Sequence, residues 1–308
     1  MNNIVERQNR YENIQKIAAF RQIYEDAKFW LKIQTILSVP IVIILSIIAI
    51  YINESFQNEV TIIFAITSFL ITVLNVTFFP YIIKKLKTKA ALVQEYFDCT
   101  VLTIEWNFVQ HRNKPNSEDI LKYSSKYIKK NITAKFENWY SYKVTNLPLP
   151  IARIVCQRTN CWWDIELREK LNNWIIGFNS VAFIFLIILS CFNNLNITTV
   201  ITNVAIPLIP LIVFSCSCFS ENKSTIDSLS QRKNYIEEVI DNVFKNEDSK
   251  DDLEIISRNI QDIIFSNRAN NFIILTSIYK RFKKNMEEGM NFSVSEFIKK
   301  YEEKNNYC

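Results

Sequence analysis

The chain has 308 residues, of which 49% are hydrophobic and 22% are charged, and it carries a formal net charge of +5. Its mean hydropathy of +0.02 is high for a chain with so many charges, which indicates that apolar and polar residues lie in separate blocks. Only two glycines are present, Gly177 and Gly289. This excludes glycine-rich phosphate loops, dinucleotide fingerprints and turn-rich β-sandwiches, so we expect a mostly helical protein.

Residues 1–29 are polar, with apolar side chains at helical spacing. This pattern predicts a cytoplasmic amphipathic helix that leads directly into the membrane. Residues 30–83 follow as the first transmembrane hairpin, because Ile33–Ile52 and Val60–Ile83 carry no charged side chain. About twenty apolar residues are enough to cross a bilayer as a helix.

A second transmembrane hairpin is predicted at residues 174–219. Its two apolar stretches, Trp174–Phe192 and Ile197–Phe219, are also uncharged. Pro207 and Pro210 lie inside the second stretch, where they free backbone carbonyls and predict a kink. The alternative, buried core helices of a soluble protein, is disfavoured because four such stretches with a consistent charge asymmetry at their ends rarely arise together.

The basic residues around the hairpins indicate their orientation. The connecting loops Asn53–Glu59 and Asn193–Asn196 contain no Lys or Arg, whereas lysines cluster after the second stretch, between Lys84 and Lys89. The positive-inside rule therefore places both termini in the cytoplasm. The sequence thus predicts an all-α membrane protein with four transmembrane helices in two hairpins and a helical cytoplasmic domain.

The four apolar stretches contain no ionisable side chain, so a proton-coupled transporter or a voltage sensor is not expected. Two interpretations remain open for their neutral polar residues. They form hydrogen bonds between helices, which is the commoner use, or they line a pore between several protomers, for which Asn75 is the best candidate. The candidate residues are Thr72, Asn75, Asn179 and Asn203.

Residues 84–173 are predicted to form the central cytoplasmic helical domain. Its first helix continues from the second apolar stretch, and the polar segment His111–Asn116 separates it from a helix capped at Asn116 or Ser117. His111 is the only histidine, and we expect it to be an exposed loop residue without a second imidazole to share a metal ion or a catalytic triad. The seven cysteines show no paired metal-ligand spacing.

The segment IARIVCQRTNCWWD, from Ile151 to Asp164, carries the candidate ligand site. Guanidinium forks beside aromatic faces suit a phosphate-bearing purine ligand, because the forks bind phosphate oxygens and the rings offer a flat surface to the base. Composition alone favours the alternative, in which the arginines pair with acidic side chains or lipid headgroups and the tryptophans form core or an interface belt. The candidate ligand-binding residues are Arg153, Gln157, Arg158, Asn160, Trp162 and Trp163.

Residues 220–308 are predicted to form the C-terminal cytoplasmic helical domain. A heptad seam from Ile226 to Val243 and a second run from Leu253 to Ile263 predict two helices around the acidic linker Asn246–Asp252. These helices fold back on each other or, in the less ordinary alternative, bind neighbouring subunits. Ser293 and Glu296 match a capping box, so the last helix is expected to begin there.

This layout and the segment LPLPIARIVCQRTNCWWD, from Leu147 to Asp164, resemble the SMODS-associating four-transmembrane effectors of bacterial cyclic-oligonucleotide-based antiphage signalling (CBASS). The resemblance covers most of the chain. It implies a homo-oligomeric effector in the bacterial inner membrane that senses a cyclic oligonucleotide made by a cognate nucleotidyltransferase and assembles into, or opens, a membrane-disrupting pore. It implies no cofactor besides this activating ligand, and no DNA or RNA partner.

Two functions follow as hypotheses. The first is the ligand-gated pore, and the second is a membrane anchor or scaffold that forms no pore and recruits partners through its cytoplasmic helices. An enzyme is not expected, because the sequence contains no metal cluster, nucleophile elbow or histidine-based dyad. We therefore assign no catalytic residue and no metal ligand at this level.

Overall fold

The computed structural model describes residues 2–51, 57–131, 136–193, 195–245, 250–274 and 276–306. Within these ranges the chain is helical and contains no β-strand, as predicted. The α-helices are α1 (Ile4–Gln8), α2 (Tyr11–Ile36), α3 (Val42–Tyr51), α4 (Gln57–Val76), α5 (Phe78–Leu102), α6 (Phe108–His111), α7 (Ser117–Lys130), α8 (Leu149–Phe192), α9 (Ile197–Val200), α10 (Ile209–Lys245), α11 (Lys250–Asn270) and α12 (Thr276–Asn306). Most of the loop Asn53–Glu59 and of the linker Asn246–Asp252, and one residue of the loop Asn193–Asn196, fall outside the described residues.

The chain forms two compact units. The first combines Met1–Asp26, Leu86–Glu169 and Ser224–Cys308, and the second combines Ala27–Lys85 and Lys170–Lys223. The polar parts of the sequence therefore build one helical unit, and the apolar stretches build the other. Helices α2, α5, α8 and α10 each contribute residues to both units.

The second unit contains the membrane spans. Three helical stretches of the described chain are long and apolar enough to cross a membrane, namely Tyr11–Tyr51, Glu59–Leu102 and Leu149–Phe192. A fourth span combines Ile197–Ala205 with Ile209–Phe244, which meet at a bend of 58°. The prediction of four transmembrane helices is confirmed, and the bend falls at Pro207, as predicted from the missing backbone donor of proline.

Two π-helical turns in the spans were not predicted from the sequence. The first span contains a π-helical turn at Leu37–Ile41 with Pro40 inside it. Proline cannot donate the backbone hydrogen bond that an α-helix needs at this position, and a wider turn accommodates the loss without ending the helix. A second π-helical turn, Ile201–Ala205, precedes the bend in the fourth span.

The second unit buries a small apolar core and exposes a large apolar surface. Val42, Leu186 and Val204 are buried where the spans meet. Other large side chains of the same spans remain exposed, such as Ile63 at 57% and Phe69 at 67%. Exposed apolar side chains along a long helix are what a membrane span requires.

The first unit has a conventional hydrophobic core. Ile17 and Phe20 of α2 pack with Phe97 of α5 and with Tyr140, and Ile154 of α8 joins the same cluster. The rings of Phe20 and Phe97 meet edge to face with centroids 6.3 Å apart. This core joins segments from all three polar parts of the chain, which explains why they form one unit.

Two expectations about this unit were wrong. His111 is buried, with only 8% of its surface exposed, because α6 turns it towards α5 and α11. The last helix begins at Thr276, not at Ser293. Met286, Met290 and Val294 continue one buried stripe through the supposed boundary, and this packing overrides the local capping pattern.

Candidate functional site

The candidate ligand segment forms the first turns of α8. The helix begins at Leu149 with Pro150 in its first turn. Backbone N–H groups in the first turn have no partner within the helix, so a proline there costs no hydrogen bond. Ile151, Ile154 and Val155 face the core of the first unit and are nearly fully buried. The predicted ligand residues therefore lie on a helix whose apolar stripe is anchored in the core, and their polar groups point to several neighbours.

Arg153 is buried and bonded to the end of α5. Its Nε donates to the Leu102 carbonyl at 2.9 Å, and its Nη2 donates to the Thr103 carbonyl at 2.9 Å. Its Nη1 lies 3.5 Å from Glu254 Oε1. Burial lowers the pKa of the Arg153 guanidinium, and Glu254 opposes this shift. Arg153 thus satisfies carbonyls left unpaired where α5 ends.

Gln157 is fully buried and connects α8 to α11. Its Nε2 donates to the Ser257 carbonyl at 2.8 Å and to Gln261 Oε1 at 3.0 Å. Its Oε1 accepts a bond from the Ser257 hydroxyl at 3.0 Å. The amide therefore makes bonds through both of its polar atoms within the chain.

Arg158 connects α8 to α10 and α12. It donates to Glu237 Oε1 from Nη2 at 2.6 Å and from Nε at 2.9 Å, and from Nη1 to the Ser293 hydroxyl at 3.2 Å. Its guanidinium also lies 5.7 Å from the centre of the Phe297 ring. The fork that was predicted to hold a phosphate holds a carboxylate here, and two of its nitrogens contact the same oxygen.

The remaining candidates lie one turn further along α8 and are only partly buried. Asn160 Nδ2 donates to the Tyr140 hydroxyl at 3.2 Å. Trp162 meets Trp163 edge to face, with ring centroids 6.3 Å apart, and Trp163 lies 6.4 Å from the ring of Tyr279. Trp162 also packs closely on α12, where a Cβ added at Gly289 would lie 2.9 Å from its Cη2 atom.

The structure places a buried polar network beside this segment that the sequence analysis did not identify. Asp98 accepts bonds from Tyr140 at 2.7 Å, from Gln261 at 3.1 Å and from Arg268. Glu95, one helical turn earlier, accepts bonds from Arg258 at 2.7 Å and from Gln261 at 2.7 Å. The only sequence signal was two carboxylates, Glu95 and Asp98, in a largely apolar part of α5.

Burial shifts the pKa values of groups in and beside this network. It raises the pKa of the Glu95 carboxyl, while the bonds from Arg258 and Gln261 act in the opposite direction. It also raises the pKa of the Tyr140 hydroxyl, and the charge of Asp98 adds to that shift. Burial and the nearby Arg258 lower the pKa of His111, so the neutral imidazole is favoured.

In the second unit, the neutral polar residues make hydrogen bonds between and within helices. The Ser38 hydroxyl donates to Asn75 Oδ1 at 3.0 Å, and the Ser215 hydroxyl donates to Asn179 Oδ1 at 3.0 Å. Asn203 accepts a bond from Thr61 at 3.0 Å. Thr72 bonds within its own helix, to the Ser68 carbonyl at 2.8 Å.

Comparisons with known proteins agree with this architecture. The model of a family described as "SMODS-associating 4TM effector domain" matches residues 2–297. A protein of Bacillus cereus (strain VD146), named as a probable CBASS effector molecule, is 27% identical over 289 residues, which cover 90% of this chain and 92% of the relative. No solved structure matches the chain.

Proposed function

The chain belongs to the family of SMODS-associating 4TM effectors, and we propose that this CBASS membrane effector senses a cyclic oligonucleotide and responds by opening or assembling a pore. In this proposal the first unit binds the ligand in the cytoplasm. The second unit lies in the bacterial inner membrane, and the N-terminus and C-terminus of the chain lie on the cytoplasmic side. A cognate nucleotidyltransferase supplies the ligand, and several copies of the chain surround the pore.

The observation that carries the proposal is the ion pair between Arg158 and Glu237. Arg158 lies on α8 and Glu237 lies on α10, and each of these helices continues without interruption into a membrane-spanning stretch. A contact that holds the two helices together in the first unit therefore involves the same helices that continue into the membrane-spanning stretches. Breaking it is a direct route from a cytoplasmic signal to the spans.

A phosphate competes with Glu237 for Arg158. The oxygens of a phosphodiester offer the guanidinium fork the same hydrogen bonds as a carboxylate. Glu237 is about one third exposed, so solvent is available to it once it is released. Trp162 and Trp163 lie one turn away on α8, where their partly exposed rings provide surfaces for bases.

This exchange is a population shift. The ligand favours the arrangement in which Arg158 binds phosphate and α8 is released from α10, and it acts by its difference in affinity for the two arrangements. Asn75 of the spans accepts a hydrogen bond from Ser38 through Oδ1, whereas its buried Nδ2 has no partner among the described residues. In the proposed open state several copies bring such residues to a common aqueous lumen.

The test is leakage of a fluorescent dye from liposomes that contain the purified full-length chain, with a panel of cyclic dinucleotides and trinucleotides added outside. Vesicles in which the first unit faces outward should leak with one class of ligand. Arg158→Met should abolish this response. Glu237→Gln should lower the ligand concentration needed, because it weakens the contact that the ligand must displace.

Lys300→Gln is the matched control, because it removes an exposed ion pair of the same unit, to Asp241, and should leave the response unchanged. No leakage with any cyclic oligonucleotide would contradict the proposal. Stable capture of a partner protein with intact vesicles would favour the anchor or scaffold function instead. A reporter fused at Asn116 tests the orientation, and we expect it on the cytoplasmic side.

A further inference from the structure

The imidazole of His111 is enclosed by the first unit but has no hydrogen-bond partner among the described residues. Its side chain is 0% exposed, and neither Nδ1 nor Nε2 bonds to any group of the described chain. Its ring lies 4.1 Å from the ring of Phe265 and 5.1 Å from that of Trp106, measured between centroids. Buried polar atoms are nearly always paired, so two unpaired nitrogens on one ring require an explanation.

Two carboxylates face this imidazole. His111 Nε2 lies 3.8 Å from Glu95 Oε1 and 4.0 Å from Asp262 Oδ1. One potential ligand atom from each of the three residues lies within 4.8 Å of the others. A tetrahedral zinc ion with bonds of about 2.1 Å holds its ligand atoms about 3.4 Å apart, so small inward movements would complete such a site.

The outer oxygens of both carboxylates are already fixed by neighbours. Asn107 Nδ2 donates to Asp262 Oδ2 at 2.9 Å, and Gln261 Nε2 donates to Glu95 Oε2 at 2.7 Å. This leaves Oδ1 and Oε1 directed towards His111. Such supporting hydrogen bonds orient the ligands of metal sites and are a recurrent part of their construction.

Arg258 at present lies between the two inner oxygens. Its Nη2 donates to Glu95 Oε1 at 2.7 Å and to Asp262 Oδ1 at 2.6 Å. The side chain is 18% exposed, and its Nη1 already reaches the Glu105 carbonyl at 2.7 Å in an exposed position. The guanidinium therefore has a short path out of the cluster, and a second cation can take its place.

The charge of the cluster also favours a further cation. Glu95, Asp98 and Asp262 contribute three carboxylates, whereas Arg258 and Arg268 contribute two guanidinium groups. By formal charge, these groups have one negative charge in excess. A divalent ion that replaces one guanidinium binds two negatively charged carboxylates. It also binds an imidazole nitrogen that has no hydrogen-bond partner among the described residues.

We propose that Glu95, His111 and Asp262 form a binding site for a divalent transition-metal ion, with Zn²⁺ as the expected ion, and that the ion displaces Arg258 from the two carboxylates. An imidazole with two carboxylates suits zinc, whereas Mg²⁺ and Ca²⁺ prefer oxygen ligands alone. Water completes the coordination. The ion joins α5, α6 and α11. Its ligands lie far apart in sequence and include one imidazole, so no sequence motif marks the site.

Metal analysis of the full-length chain in detergent provides the test. After removal of bound metal with a chelator, the protein is equilibrated with Zn²⁺, freed of excess ion and analysed for zinc. We expect one zinc per chain and a higher apparent melting temperature. Co²⁺ in place of Zn²⁺ should give the visible absorption bands of a low-symmetry site with a nitrogen ligand.

Asp262→Asn should weaken zinc binding at least about tenfold, and its partly exposed side chain makes misfolding a small concern. Glu254→Gln changes an exposed carboxyl on the same helix and should bind like the unmodified chain. Arg258→Gln removes the competing cation and should tighten binding. Absence of stoichiometric zinc in the unmodified chain, or equal binding by Asp262→Asn, would overturn the proposal.

Discussion

The two glycines of the chain provide a paired prediction. Both lie in helices, Gly177 in α8 and Gly289 in α12. Replacing glycine by alanine in a helix interior gains about 1 kcal/mol, because alanine loses less backbone entropy on folding. At Gly177 a new Cβ meets nothing within 4 Å, whereas at Gly289 it lies 2.9 Å from Trp162 Cη2 and 3.4 Å from Cζ2.

The clash at Gly289 should outweigh the gain. Overpacking in a well-packed contact costs about 1–3 kcal/mol, and the lower value applies if the partly exposed Trp162 tilts away. We therefore expect Gly289→Ala to be about 1–3 kcal/mol less stable than Gly177→Ala, since the gain in helix propensity is common to both. The measurement is the apparent melting temperature in detergent, supported by tryptophan fluorescence.

A second variant isolates the cause. Phe in place of Trp162 lacks the distal ring atoms that a Cβ at Gly289 would approach. In a Trp162→Phe background, Gly289→Ala should therefore lose most of its penalty, so the two substitutions should be strongly non-additive. Equal stability of Gly289→Ala and Gly177→Ala in the unmodified chain, or a penalty that persists without Trp162, would refute the reasoning.

Three further predictions concern buried polar groups. Asp98→Asn leaves the Arg268 guanidinium buried without its counter-ion and should destabilise the first unit by about 3–5 kcal/mol, measured by pulse proteolysis. Asn203→Ala removes bonds to Thr61 and to the Ala49 carbonyl and should cost about 1 kcal/mol in thermal unfolding, whereas the exposed Thr67→Ala should cost little. Burial lowers the pKa of Lys16 to about 8, below that of the unfolded chain, so its contribution to stability rises with pH between about 8 and 10.5. Lys16→Met should remove this rise, so the difference in free energy of unfolding between this variant and the unmodified chain should shrink by about 1–2 kcal/mol as pH increases, after allowance for solvent screening. Thermal melts of both chains across this pH range provide the measurement.

The contacts of the candidate site could not be predicted from the sequence. The segment from Arg153 to Trp163 was a candidate because of its residue types, and the structure shows what each side chain contacts. Arg153 and Gln157 are buried and bonded to carbonyls and amides, whereas Arg158 is paired with the partly exposed carboxylate of Glu237. Composition cannot separate these cases, because an arginine that caps a helix and one that pairs with a carboxylate are the same residue type.

Local patterns also failed where packing overrode them. The capping-box pattern at Ser293 and Glu296 was present, but the buried stripe through Met290 and Val294 keeps α12 continuous. His111 was expected in an exposed loop because its neighbours in sequence are polar, and tertiary contacts with Phe265 and Trp106 bury it instead. In both places the packing of the folded chain decides the outcome, and the local sequence pattern does not show it.

The four spans, the mostly helical fold and the proline bend could be predicted from local composition, because a bilayer requires apolar stretches and every span must satisfy its own backbone. Tertiary packing selects which polar groups meet. Glu95, His111 and Asp262 come together from three helices, and Arg158 meets Glu237 across 79 positions of chain. Hydrogen bonds and ion pairs act over a few ångströms, so their partners are set by how helices pack and not by the order of residues along the chain.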